Sequence, residues 1–236
     1  QLPNLRTPTT VPLCPYHFHL LPSTLTKAGI IVHPSDDPGN IESTRFTALP
    51  YGLLSLTLWV GPVSLTTSWL PSTLTSLRYI VNGNEVPPVD FLNDLPKSLE
   101  KLFLVAPDFF TDAHFAGLRH LPQLKNFSHA PSSGEKPGSM VTGGCFKNLP
   151  RSLTEISIPC NIARVLVEHY DELPPDLRML GLSSTPRAEH YTVDLLEHLP
   201  PKLYQFRAPV SCANMVNKRG FTQAASQKRL RLIGFW

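Results

Sequence analysis

Charge is scarce in this 236-residue chain: 17% of residues are Asp, Glu, Lys or Arg, against a usual figure of about 25%. Acidic and basic residues nearly balance at 18 and 21, a net charge of +3, too mild to point to nucleic acid by itself. Long apolar runs are absent, and no stretch approaches the roughly 18 residues of a membrane-spanning helix. Gly-X-Y periodicity is absent too, which excludes a collagen helix. The four cysteines, Cys14, Cys145, Cys160 and Cys212, form neither a CxxC pair nor a tight cluster, so no disulfide framework is read from them, and reduced thiols are favoured. Phosphate-binding, nucleophile-elbow, zincin and dinucleotide-binding motifs are all missing. QLPNLRTPTTVP at the start has neither the basic nor the apolar region of a signal peptide.

What the chain has in excess is proline: 25 residues alongside a 42% hydrophobic content that excludes wholesale disorder. Proline at this density breaks long helices, so it must occupy recurring special positions. Leu-Pro recurs at Leu21, Leu49, Leu70, Leu95, Leu121, Leu149, Leu173 and Leu199, at spacings of 28, 21, 25, 26, 28, 24 and 26 residues. Counting from that leucine, apolar residues return at +4, +7 and +9, as in Leu74, Leu77 and Tyr79 or Leu99, Leu102 and Leu104. The copy at Leu121 is one residue short, with Leu124 and Phe127 at +3 and +6. Three residues before the dipeptide stands another apolar mark in every copy but one, where Thr67 replaces it.

The alternation around +7 and +9 predicts one short strand per copy, and one strand per copy can stack into a parallel sheet with neighbours about 4.8 Å apart. Segments such as VDFLNDLP, DAHFAGLRHLP, VEHYDELP and VDLLEHLP read as one or two helical turns stopped by the proline, which disfavours the helical region for the residue before it. QKRLRLIGFW fits the same frame with Leu230, Ile233 and Phe235 at +4, +7 and +9. Residues 131–144 read as a loop insertion, and CANMVNKRGFTQAASQ as a polar helix or loop near a cap. The expectation is therefore an α/β solenoid over residues 1–236 with about eight or nine irregular repeats, open to being part of a longer protein.

These segments resemble leucine-rich repeats. The LPxxLxxLxL core is similar to the LPx-type repeats of secreted bacterial effectors and to the proline-marked repeats of amoebae and other protists. It departs from both: the asparagine expected at +12 stands only at Asn82 and Asn161, the amoebal FNxP motif is missing, and no cysteine is followed by the CxD pattern of effector ligases. The resemblance implies a curved solenoid that binds another protein, with helical turns or loops on the convex side and no intrinsic catalysis or cofactor.

Single residues add little chemistry. His17 and His19 stand at metal-ligand spacing without a nearby third ligand, and Phe18 between them is the repeat's own apolar mark, so no metal site is expected. Asp36-Asp37 reads as an acidic turn, and the Asn126-Phe127-Ser128 sequon falls on an expected strand and reads as chance. The outward strand positions say more. The +10 column opens Ile31, Trp59, Ile80, Val105, an apolar ridge on the expected concave face, and the +8 column carries Arg78, Phe103 and Arg207. Trp59, Arg78, Ile80, Phe103 and Arg207 are the candidate partner-binding residues, because exposed apolar ridges with aromatic and arginine anchors mark partner sites. The bland alternative is that the ridge is the edge of the core. Lys218, Arg219, Lys228, Arg229 and Arg231 form a basic cluster that RNA phosphates or an acidic protein would suit, but without regular aromatic interleaving a solvated cap face is the favoured reading. The leading expectation is a non-enzymatic adaptor or structural subunit, with an intracellular location favoured. A secreted or surface recognition protein and a ribonucleoprotein subunit are the alternatives.

Overall fold

The computed structural model describes residues 21–32, 49–60, 70–81, 89–106, 111–131, 141–159, 167–182, 195–209, 226 and 228–235. Nine strands lie in sequence order in one open parallel sheet. They are β1 (Lys27–Val32), β2 (Ser55–Val60), β3 (Ser76–Val81), β4 (Lys101–Ala106), β5 (Asn126–Pro131), β6 (Glu155–Ile158), β7 (Met179–Leu182), β8 (Gln205–Pro209) and β9 (Arg231–Phe235). Every sequential pair is hydrogen-bonded, so the chain advances by one strand per Leu-Pro copy. This is the α/β leucine-rich-repeat solenoid that the spacing predicts.

The +7 and +9 side chains form two buried columns behind the sheet. Leu56, Leu77, Leu102, Phe127, Ile156, Leu180 and Phe206 run through the first, in matched register from strand to strand. Ile30, Leu58, Tyr79, Leu104, His129, Ile158 and Leu182 occupy the second. Burial pushes the Tyr79 phenol well above its usual pKa. His129, only 2% exposed, takes a leucine's place in the short copy. Behind these columns pack the +4 leucines, the Leu-Pro leucines and the marks at −3, among them Leu92, Leu118, Phe146 and Tyr170. Each fully buried leucine or phenylalanine contributes about 1.5–3 kcal/mol.

Proline has a second task beyond stopping the preceding segment. In seven copies the carbonyl of the Leu-Pro proline accepts from the N–H of the +4 leucine, at 3.0–3.2 Å, closing a tight turn into the strand. In the short copy the turn starts one residue earlier, with Leu124 N donating to Leu121 O at 3.1 Å. That shift removes one residue and leaves Pro122 exposed where Pro50, Pro71, Pro96 and Pro150 are buried. After the turn, two consecutive N–H groups donate to one carbonyl of the previous copy: Glu100 and Lys101 to Thr75, Lys125 and Asn126 to Glu100, Arg178 and Met179 to Thr154.

A polar ladder joins neighbouring copies at +3. Ser98 Oγ donates to Leu74 O at 2.7 Å, Ser152 Oγ to Leu124 O at 2.8 Å, and Thr73 Oγ1 to Leu53 O at 3.3 Å. Further along the same column Asp176 pairs with Lys202. Buried backbone carbonyls need such partners, and these hydroxyls satisfy them from one copy to the next.

The segments before Leu-Pro differ from expectation in helix type. Asp112–His120, Gly143–Asn148 and Val167–Glu172 are 3-10 helices, Val89–Leu95 is a series of turns, and only Leu195–His198 is a single α turn. The reason is visible in the spacing. Phe115, Leu118 and Leu121 recur every three residues and all three are fully buried, which is the 3-10 period and not the α period. The Gly143–Asn148 helix also takes over the end of the segment expected as a loop at 131–144. Its start is held by Asp112, whose carboxylate accepts from Thr142 N at 2.7 Å and from the Thr142 hydroxyl.

The last strand corrects the expected frame by one residue. Leu232, not Ile233, pairs with Phe206, and Ile233 pairs with Arg207. Arg229, with φ 55°, stands in the left-handed region just before β9. A non-glycine residue is strained there. The turn N–H that leucine supplies in other copies comes here from Arg229, donating to Ser226 O at 3.0 Å, so the whole strand is displaced relative to Leu230.

Candidate functional site: the open face of the sheet

Alternation sends the +6, +8 and +10 residues to the face opposite the core. Strand register sets them in three rows that cross the sheet. The +10 row runs Ile31, Trp59, Ile80, Val105, Ala130 over β1–β5. The +8 row runs Gly29, Thr57, Arg78, Phe103, Ser128, Ser157, Gly181, Arg207. The +6 row begins Lys27, Ser55, Ser76, Lys101 and continues through Asn126, Glu155, Met179 and Gln205.

Four of the five candidate residues fall on the first half of the face. Trp59 and Phe103 are half-buried and Arg78 is exposed. The Arg78 guanidinium carbon stands 4.6 Å from the centroid of the Phe103 ring, a cation–π contact of about 0.5–1 kcal/mol at an exposed site. Ile80 behaves differently: at 8% exposure it forms the floor between Trp59 and Val105 and offers little surface of its own. Ile80 is therefore covered on the open face, while Ile31, Trp59 and Val105 remain half-buried.

Arg207 is not part of this group. It lies on β8, four strands from Phe103, or about 19 Å at the usual strand spacing. The Gln205 side-chain amide lies 2.7 Å from Arg207 Nη2, and turning its oxygen toward the guanidinium makes it an acceptor there. The face between Phe103 and Arg207 carries Ser128, Ser157 and Gly181. Asn126, the sequon residue, lies on β5 and donates through Nδ2 to Glu155 Oε2 at 2.7 Å.

Of the basic cluster, Lys228, Arg229 and Arg231 are exposed at the approach to β9; Lys218 and Arg219 lie outside the described residues. So do His17, His19, Asp36, Asp37, Asn82, Asn161 and every cysteine except Cys145, which is buried and in no disulfide. Among the described residues no group of three or more His, Cys, Asp or Glu is placed to hold a metal, and no helix is long and apolar enough to cross a membrane.

Two residues of the open face escape a search centred on +8 and +10. Lys27 and Lys101 stand at +6 and are exposed. Period-two alternation carries the signal, since +6 shares the face of +8. Elsewhere among the described residues the large exposed apolar side chains are Tyr51 and Leu54 before β2, Val89, and Tyr204 before β8, a scatter that is ordinary for a folded surface.

No family model and no curated protein matches the chain. Among solved structures it is similar to the leucine-rich-repeat-containing protein LegL7 of Legionella pneumophila, at 18% identity and a TM-score of 0.49, with 78% of this chain and 64% of that one covered. It is also similar to a chain of the Toll–Spatzle complex of Drosophila, at 15% identity and a TM-score of 0.49, covering 83% of this chain and 29% of that one. The glycosylated form of that complex gives 17% identity and 0.46. The chain thus spans less than two thirds of each matched protein. The repeat architecture rests on the nine-strand ladder itself.

Proposed function

We propose that this chain is a non-enzymatic protein-interaction module, an adaptor or structural subunit of an assembly, and that its partner docks on the open face of β1–β5. The observation that carries the reading is the co-alignment of the +10 apolar row with the Arg78–Phe103 pair on neighbouring strands. Contiguous apolar surface with an aromatic and an arginine is the usual composition of an interface centre. Parallel strands hydrogen-bonded on both sides hold these side chains in fixed positions, so docking costs little ordering of the face.

The test is affinity purification of the tagged protein with identification of the co-purifying partner. Trp59→Ala combined with Phe103→Ala is expected to abolish recovery of that partner while circular dichroism stays unchanged. The control change Ser157→Ala, on β6 outside this face, is expected to leave recovery intact. Recovery unaffected by the first pair, in a folded protein, would move the interface elsewhere.

A further inference from the structure

We infer that the partner segment seated on this face is an amphipathic acidic helix laid across β1–β4, an inference that rests on reading the open face as the docking surface. The charge pattern supplies the first argument. Lys27, Arg78 and Lys101 are all exposed on the open-face positions of β1, β3 and β4. No Asp or Glu occupies an open-face position of these four strands, and none of the three cations pairs with a carboxylate among the described residues. A partner carrying carboxylates meets complementary potential here, and a basic one meets repulsion.

Geometry supplies the second argument. Lys27 and Lys101 lie toward the starts of the strands, at +6, Trp59 and Val105 lie at +10, and Arg78 stands between the two rows at +8. Four residues of strand separate the +6 and +10 rows by about 13 Å, close to the 10–12 Å diameter of a helix with its side chains. One helix crossing the strands over the +8 row therefore places acidic side chains against Lys27 and Lys101 on one flank and apolar ones against Trp59 and Val105 on the other, with the Arg78–Phe103 pair beneath its axis. The three intervals from β1 to β4 span about 14 Å, or roughly ten residues of helix. An added strand is excluded at β2–β4, because each of these strands already has a neighbour on both sides.

A display library of helix-biased peptides, about 15 residues long and randomised at the surface positions, tests this without presupposing the answer. Panned against the full chain, it is expected to yield binders with more acidic than basic residues. Their affinity is expected to fall at least about tenfold with Arg78→Glu plus Lys101→Glu, and again with Trp59→Ala, while thermal melting confirms folding. Neutral or basic binders that still depend on Trp59 would overturn the acidic helix and leave the face reading standing. Binders insensitive to both substitutions, or no enrichment, would overturn both. Binding to phosphatidylserine vesicles that Arg78→Glu abolishes, without peptide binders, would assign the basic positions to a lipid surface and overturn the inference.

Discussion

The two halves of the sheet share one core and present different faces. Behind β1–β5 and behind β6–β8 the same +7 and +9 columns run without interruption, from Leu56 to Phe206 and from Ile30 to Leu182. In front, the first half carries Trp59, Arg78, Phe103 and Val105, and the second carries Ser157 and Gly181, with Arg207 beside the Gln205 amide. The repeat fixes what faces inward and leaves the outward positions free to diverge. A solenoid whose stability is a sum of neighbouring contacts can therefore concentrate recognition in one stretch without weakening the other.

The sharpest way to break this comparison is through the core, where the halves should behave alike. Leu58→Ala on β2 and Leu180→Ala on β7, both essentially unexposed, are each expected to cost about 2–5 kcal/mol in denaturant unfolding. A negligible cost at one of them would show that the columns are not equivalent. Close packing between copies should be nearly as sensitive. A Cβ at Gly117 would lie 2.7 Å from Leu92 Cβ and 2.8 Å from the Leu92 carbonyl carbon, so Gly117→Ala is expected to destabilise by about 1–3 kcal/mol through overpacking, read as a lowered midpoint.

Smaller effects test the polar joints. Ser98→Ala removes the bond to the Leu74 carbonyl and is expected to cost about 0.5–1.5 kcal/mol. Ser157→Ala, on the open face, should cost almost nothing. The smallest effect concerns Asp176. Its hydrogen bond to Lys202, then the Lys202 charge, hold its carboxyl below the usual range. A carboxyl depressed in the folded state stabilises fully above its unfolded pKa, and that contribution is lost as pH falls through the folded value. Lys202→Met should therefore shift the Asp176 titration upward in an NMR pH series, and an unmoved titration would show that the pair does not form in solution.

Much of this architecture was legible in the Leu-Pro spacing, because leucines that recur every 21–28 residues have only neighbouring copies to pack against. Eight strands and their inward columns follow from that frame. The exceptions have local causes. The three-residue spacing of Phe115, Leu118 and Leu121 fits a 3-10 helix, which an α-helical reading of the same residues conceals. The displaced β9 depends on Arg229 adopting φ 55°, a choice that no side-chain pattern announces. The +3 ladder is written in residues as different as Thr73, Ser98, Asp176 and Lys202, so only their shared position reveals it. The open face was legible as a set of positions, and Trp59, Arg78 and Phe103 were found there. What composition alone did not reveal is that Ile80 is covered, that Arg207 lies beside the Gln205 amide, and that Lys27 and Lys101 complete a basic margin.

The central claim is that the two halves of the open face differ in partner contact, and site-specific photo-crosslinking tests it most directly. A benzophenone side chain introduced at Thr57, between the apolar and basic rows of β2, is compared with one at Ser157 on β6. The account predicts a crosslink to the copurifying partner from Thr57 and none from Ser157. A crosslink from Ser157 alone would contradict it.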